Sequence, residues 1–256
     1  MKTVILAGGM GTRIREETEF KPKPMVEIGG LPIIWHIMKS YSSFGYKDFV
    51  ICTGYKGEQI KEFFKEYETL QSDFTINFAR SRELKIYPEA SKLDWSVTIS
   101  NTGISTPTGG RILKVKKYLE NETFLCTYGD GLSDINIKSL IDFHKSHGKI
   151  ATISCIRPPS RFGRLEIDSN FEVKFFKEKP IISDWVNGGF FVFESSIFQY
   201  LSEGEPLEDY TLPRLINDSQ LMAFCHEGYW QSMDTYREML LLNKIWDSGQ
   251  APWKIW

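Results

Sequence analysis

The residues here that could handle phosphate fall into five short segments. The first is Leu6-Ala7-Gly8-Gly9-Met10-Gly11-Thr12-Arg13, which follows an apolar run. Glycines placed after a strand let backbone N–H groups come close to a polyphosphate. Arg13 adds a planar fork of donors for phosphate oxygens. A purely structural glycine turn is the competing reading. Two familiar phosphate motifs do not fit. The P-loop spacing is absent, and Ile14 stands where a dinucleotide fingerprint needs its third glycine. A nicotinamide-dependent dehydrogenase is therefore not expected.

The second segment is Lys21-Pro22-Lys23-Pro24-Met25-Val26-Glu27. Its two prolines stiffen the backbone and set where each lysine points. Lys23, held between them, could neutralise charge that moves during phosphoryl chemistry; a solvated basic loop is the alternative. The third is Tyr128-Gly129-Asp130-Gly131, at the end of an apolar run. Carboxyl ends of strands are where α/β folds place ligands. Mg²⁺ is commonly held by one or two carboxylates together with substrate oxygens and water. Asp130 could equally be a turn residue. The fourth is Trp230-Gln231-Ser232-Met233-Asp234-Thr235, just before a long helical pattern. There the competing role for Asp234 is a helix N-cap. Asp130 and Asp234 can share a metal only if the fold brings them together. The fifth pairs Glu178-Lys179-Pro180 with Asn187-Gly188-Gly189. A lysine for phosphate, with Glu and Asn for hydroxyls, would suit a sugar phosphate. No zinc-type histidine spacing or Gly-x-Ser-x-Gly occurs, and His36, His144, His147 and His226 read as structural.

The elements that must position these residues follow from periodicity. Thr3–Ala7 reads as a buried strand and Gly8–Arg15 as a loop. Pro32–Phe44 reads as a helix stopped by Gly45, Asp48–Thr53 as a strand and Glu58–Tyr67 as a helix. This alternation is that of a parallel sheet covered on both faces. Phe74–Phe78 and Trp95–Ile99 alternate, which predicts a small β excursion off the main sheet over 74–100. Gly110–Leu119 and Ile137–His147 read as helices, Phe124–Tyr128 and Ala151–Ile156 as strands. After Pro158-Pro159 come strands at Arg164–Asp168, Glu172–Glu178 and Val186–Glu194. A helix near Leu212–Asn217, a strand Leu221–His226 and a helix Tyr236–Trp246 follow. One domain is expected, parallel first and mixed later.

Composition narrows the classes further. The net charge of −2 over 256 residues argues against a basic nucleic-acid-binding domain. An aromatic content of 14% supplies a large core, so disorder is not expected. No apolar run reaches the length of a membrane helix, and the N-terminus runs straight into a strand with no signal-peptide pattern. Cys52, Cys126, Cys155 and Cys225 each sit in an apolar run and read as buried free thiols of a reducing cytoplasm.

Together the segments resemble the sugar-nucleotide pyrophosphorylases, nucleotidyltransferases with a Rossmann-like fold. The likeness runs in order through Leu6–Arg13, Lys21–Gly30 (K-P-K-P-M-V-E-I-G-G), Pro32–Met38, Thr108–Ile112 (T-G-G-R-I) and Thr127–Gly131. It continues through Arg161–Gly163, Glu178–Pro180, Asn187–Val192, Trp230–Thr235 and Ala251–Lys254. The Lys21–Gly30 and Thr108–Arg111 segments resemble the cytidylyl branch. The resemblance implies an α/β protein with a mixed, mostly parallel central sheet flanked by helices. It implies a single domain over 1–256. Residues 1–156 would serve mainly the nucleotide, and 157–256 mainly the sugar phosphate and homo-oligomer contacts.

The reaction it implies is CTP plus α-D-glucose 1-phosphate giving CDP-glucose and pyrophosphate, a cytoplasmic step towards bacterial surface polysaccharide. By the match, Leu6, Ala7, Gly8, Gly9, Gly11, Thr12 and Arg13 surround the nucleotide and hold its triphosphate. Lys23 neutralises phosphate charge, Asp130 and Asp234 hold Mg²⁺, and Gly109, Gly110 and Arg111 border the cytosine. Tyr128, Gly129, Gly163, Glu178, Lys179, Asn187 and Gly188 form the sugar-phosphate side. No nucleic acid or membrane partner is implied. There are departures. Ser232 stands in place of the usual proline. Arg164 stands in place of a small residue, where its charge either favours a more acidic acceptor or points into solvent. Residues 202–219 match poorly. Another nucleotide, another phosphorylated acceptor, or a non-catalytic nucleotide-binding subunit are the alternatives.

Overall fold

The first strand, β1 (Thr3–Ala7), is buried along its whole length. Its side chains feed two separate cores by strict alternation. Ile5 and Ala7 join one apolar cluster, Val4 and Leu6 the other. A strand apolar on both faces is the signature of a central position in a covered sheet. In the computed structural model the described residues are 1–79, 82–87, 93–160 and 162–256. Arg161 and parts of the 74–100 stretch therefore lie outside them.

After β1 come α1 (Ile33–Ser43), β2 (Asp48–Thr53), α2 (Gly57–Lys65), β3 (Ser96–Asn101) and α3 (Thr108–Lys114). The chain continues with β4 (Phe124–Tyr128), α4 (Ile137–His147), β5 (Ala151–Ile156) and β6 (Val186–Phe193). It ends with α5 (Leu212–Asn217), β7 (Leu221–His226) and α6 (Tyr236–Asp247). The seven strands form one sheet in the order β7-β5-β6-β4-β1-β2-β3. β6 is antiparallel to both its neighbours, and the other pairings are parallel. Helices α1, α4 and α6 cover one face, and α3 and α5 the other. The chain moves outward from β1 through β2 to β3, then returns to lay β4 on the other side of β1. That reversal opens a crevice at the carboxyl ends of β1 and β4.

Local signals account for the helix ends. Gly45 takes φ +90° just after α1, a left-handed stop that an L side chain resists. Asn136 caps α4 by accepting from Ser139 N–H, and Gly148 closes it at φ +64°.

Three expectations need correction. Trp95–Ile99 does not belong to an excursion. β3 is the edge strand of the main sheet, paired in parallel with β2. Its alternation arises because Val97 and Ile99 pack on the core while their neighbours face outward. Among the described residues of that stretch, Asp73–Asn77 and Glu83–Tyr87 form a separate two-stranded hairpin. Helix Gly110–Leu119 ends early, with α3 stopping at Lys114 and a 3₁₀ turn following over Lys116–Tyr118. Cys225 is exposed, because its strand β7 lies at the sheet edge, whereas Cys52, Cys126 and Cys155 are buried.

Candidate active site

The crevice beyond β1 and β4 holds the largest concentration of the predicted residues. Leu6 to Gly9, Gly11 to Arg13, Lys23, Arg111, Tyr128, Gly129, Asp130 and Asp234 all line it. The glycine loop is held from behind. Gly8 O accepts from Arg111 Nη2 at 3.0 Å and from Tyr55 N–H at 3.3 Å. Gly11 O accepts from Thr18 Oγ1 at 3.0 Å and from Ile14 N–H at 3.1 Å. In a trans peptide the N–H points opposite to the carbonyl. Gly9 N–H and Thr12 N–H therefore face away from these partners, and both residues line the cleft. A Cβ at Gly8 would meet the Arg111 guanidinium at 1.9 Å, so no larger residue fits there.

Arg111 itself is buried. It donates to Thr53 O, Thr102 Oγ1, Gly8 O and Ile104 O at 2.6–3.1 Å. Every one of these acceptors is neutral. Burial lowers the Arg111 pKa, yet an arginine at neutral pH keeps its charge. A buried cation with neutral acceptors gives the cleft a positive wall.

The charged centre lies opposite. Lys23 Nζ touches Asp130 Oδ2 at 2.5 Å and Asp234 Oδ1 at 2.6 Å, partners 107 and 211 residues away. Burial works against the lysine charge, but the Asp130 and Asp234 carboxylates outweigh it, and its pKa stands above the ordinary value. Arg13, mostly exposed, reaches Asp234 Oδ1 at 2.9 Å. A two-stranded ribbon explains the convergence. Gly131–Ser133 pairs antiparallel with Trp230–Ser232, matching Gly131 to Ser232. Met233 N–H then donates to Asp130 O at 2.9 Å. The residues just after one aspartate are thus zipped to those just before the other.

Asp234 is not the N-cap of α6. Thr235 is, in a capping box with Glu238, whose carboxylate also accepts from Asp234 N–H at 2.7 Å. The Asp234 side chain is thereby left to the cleft. Ser232 Oγ approaches its Oδ2 at 3.4 Å.

Other predicted residues sit further back. Gly109 and Gly110, between the cleft-lining Thr108 and Arg111, pack against another segment. Cβ atoms there would meet Glu205 O and Glu203 O at 2.6 and 2.1 Å, so these glycines admit the 203–207 segment against α3. Asn187 Nδ2 donates to Tyr128 OH at 3.2 Å, and Gly188 O accepts from Trp230 Nε1 at 2.7 Å. Gly163, Glu178 and Lys179 lie on or beside an exposed hairpin, Arg164–Ile167 with Val173–Lys177. Lys179 adopts φ +45° there. Arg164 pairs with Glu166 at 3.0 Å on that hairpin, with both side chains largely in solvent.

The sequence reading missed Glu208. It sits on a single π-turn, Leu207–Thr211, in the stretch of poorest resemblance. It accepts from Tyr128 OH at 2.5 Å and Thr108 Oγ1 at 2.6 Å. Burial and this carboxylate raise the Tyr128 pKa and keep the phenol protonated. Nothing local marks a glutamate in a polar stretch as a partner of Tyr128.

Fold and site together define a class: an α/β protein whose glycine-rimmed, charged cleft at a sheet switch point suits a polyphosphate. The family described as nucleotidyl transferase matches residues 2–243, and the chain belongs to it. Glucose-1-phosphate cytidylyltransferases of Salmonella typhi and Salmonella typhimurium are each 49% identical over 259 residues, covering 100% of both chains. The crystal structure of HddC from Yersinia pseudotuberculosis superposes with a TM-score of 0.66 over 96% of this chain and 99% of that one. At 24% identity that likeness is one of fold.

Nucleotidyltransferases of this family generally use a divalent metal. The donor set here fits one, since two carboxylates converge on a single cationic nitrogen. Among the described residues no group of three or more His, Cys, Asp or Glu side chains could hold an ion. Substrate oxygens and water would complete the shell.

Proposed function

We propose that the protein transfers a cytidylyl group from CTP to α-D-glucose 1-phosphate, releasing pyrophosphate and CDP-glucose. The observation that carries the chemistry is Lys23 bridging Asp130 and Asp234 beneath the glycine loop. The choice of substrates rests on the full-length relatives at 49% identity.

The phosphate oxygen of the sugar attacks the α-phosphorus in line. One P–O bond forms, the α–β bridging P–O bond breaks, and its electron pair leaves with pyrophosphate. The nucleophile is already an anion, so no general base is needed. Catalysis is then positioning and charge neutralisation. Gly9 and Thr12 N–H groups and the Arg13 guanidinium hold phosphate oxygens. Lys23 follows the charge that moves onto the leaving group. Arg111 keeps the loop carbonyl of Gly8 turned away from the phosphates. Mg²⁺ held by Asp130 and Asp234 would withdraw charge from the phosphate oxygens. Asn187 and Tyr128 with Glu178 and Lys179 form the acceptor side.

Two exposed hairpins bear apolar side chains, Phe74 and Leu84 on one, Leu165 and Phe176 on the other. Such rows suit contacts between copies of the chain, and we assign the protein to a homo-oligomer. No described helix is long and apolar enough to cross a membrane. Free thiols suit the reducing cytoplasm, the compartment we assign to the reaction.

The test is pyrophosphate release with Mg²⁺ and glucose 1-phosphate, comparing CTP, UTP, dTTP, GTP and ATP. Release with CTP alone is expected. Release with another nucleotide, or only with another sugar phosphate, would overturn the substrate assignment. Silence with every pair would favour a non-catalytic subunit.

A further inference from the structure

Strands β5 and β7 run parallel with Cys155 and Cys225 opposite one another in register. Registered side chains on adjacent parallel strands share a face, and here the two Sγ atoms lie 3.3 Å apart. Adjacent strands are about 4.8 Å apart, within the Cα separation a disulfide accepts. Closing the sulfurs needs no new backbone path. The two thiols are unequal. Cys225 is exposed on the edge strand, whereas Cys155 is buried behind it. Burial, then the neighbouring Cys225, pushes the Cys155 thiol up to about 12. Cys52 and Cys126 are fully buried on other strands.

We propose that Cys225 and Cys155 are an oxidisable dithiol, which closes to an intramolecular disulfide when the protein meets a hydroperoxide. The Cys225 thiolate attacks the peroxide, the O–O bond breaks, and hydroxide or alkoxide leaves, so the sulfur becomes a sulfenic acid. The Cys155 sulfur then attacks the Cys225 sulfur. An S–S bond forms, the S–O bond breaks, and the departing hydroxide leaves as water with the Cys155 proton. Two electrons pass from the thiols to the peroxide. A dithiol reductant reverses the step by exchange. The bond would join residues 70 apart and enclose the Arg164–Lys177 hairpin and β6. Cys155 also lies opposite Asn187 on β6, beside a register shift, so the bond ties the sheet edge to the strand that carries Asn187.

Thiols are titrated in denaturant after brief treatment of the reduced, full-length protein with hydrogen peroxide. The expected result is a fall from four free thiols to two. Dithiothreitol should restore them, and a peptide map should join Cys155 to Cys225 within one chain. The melting temperature should rise by several degrees, because the unfolded chain is constrained. In Cys155→Ser the oxidation should stop at a sulfenic acid on Cys225, captured by dimedone. Four thiols surviving the treatment, a disulfide between chains, or wild-type Cys225 passing on to sulfinic acid would each overturn the proposal.

Discussion

The glycine-loop cleft and the Arg164–Lys177 hairpin are built differently. At the glycine-loop end, each charged group is held by partners from several distant elements. Lys23 sits between Asp130 and Asp234, and Arg111 is buried among four acceptors. On the hairpin, which Glu178 and Lys179 follow, every strand residue is exposed. One end is preorganised, as charge stabilisation in a transition state demands. The other exposes both its strands to solvent, and few buried contacts hold such a segment. If the proposed acceptor contacts form there, binding of the sugar phosphate would bury groups that the free protein leaves exposed.

Substitutions can break this contrast. The largest effect is expected from Asp130→Asn and Asp234→Asn, which should each lower turnover by on the order of 10²-fold or more while circular dichroism stays unchanged. Near-normal pyrophosphate release in both would remove the metal assignment. Lys23→Ala leaves two close carboxylates with only the mostly exposed Arg13 beside Asp234 and should cost about 3 kcal/mol in chelator. Added Mg²⁺ should recover part of that in a thermal melt; no recovery would argue that the carboxylates do not share an ion. The pH behaviour has a definite sign. The Lys23 pKa is raised in the folded protein, so its contribution is complete below the ordinary lysine value. Loss begins only as pH climbs past that value. A wild-type minus Lys23→Ala stability difference already vanishing at pH 8 would contradict it.

Arg111→Ala takes a donor from Gly8 O, Thr53 O and Ile104 O. Gly8 O keeps Tyr55 N–H and Thr53 O keeps Thr102, so the cost of an unpaired carbonyl, about 1–3 kcal/mol, falls on Ile104 O. A lower melting temperature and a raised KM for CTP are expected together. A change in KM alone would make Arg111 a ligand contact only. At the loose end, Glu178→Ala and Lys179→Ala should leave stability within about 0.5 kcal/mol. Both should raise KM for the sugar phosphate and not for CTP. A large loss of stability there would erase the contrast. Ser232→Pro should have the smallest effect, a modest rise in the Mg²⁺ concentration needed for half activity, since Ser232 only approaches Asp234 Oδ2.

Much of this was readable because it is local. The strand Thr3–Ala7 and the helix Ile137–His147 follow from apolar spacing and appear with the bounds that spacing predicts. The glycine loop and the proline-flanked lysine declare themselves by type. What misled were features whose meaning depends on a neighbour. Trp95–Ile99 alternates like a stray hairpin strand because it is an edge strand covered on one face. The competing cap role for Asp234 falls to Thr235 one residue later, with Glu238, which the sequence pattern alone does not separate. Gly109 and Gly110 also make room for the 203–207 segment, a contact that only the fold reveals.

By itself the sequence determined the order of elements, the phosphate-suited loop and the identity of the charged side chains, since these depend on spacing along the chain. Only tertiary structure decided that Asp130 and Asp234 meet at one lysine, that Glu208 backs Tyr128, and that Cys155 faces Cys225. Each of those contacts spans at least 70 residues. The approach of Asp130 to Asp234 and the cysteine pair are set by strand register in a ribbon and a sheet, and the Lys23 and Glu208 contacts by the packing of turns against that sheet; no local pattern encodes either.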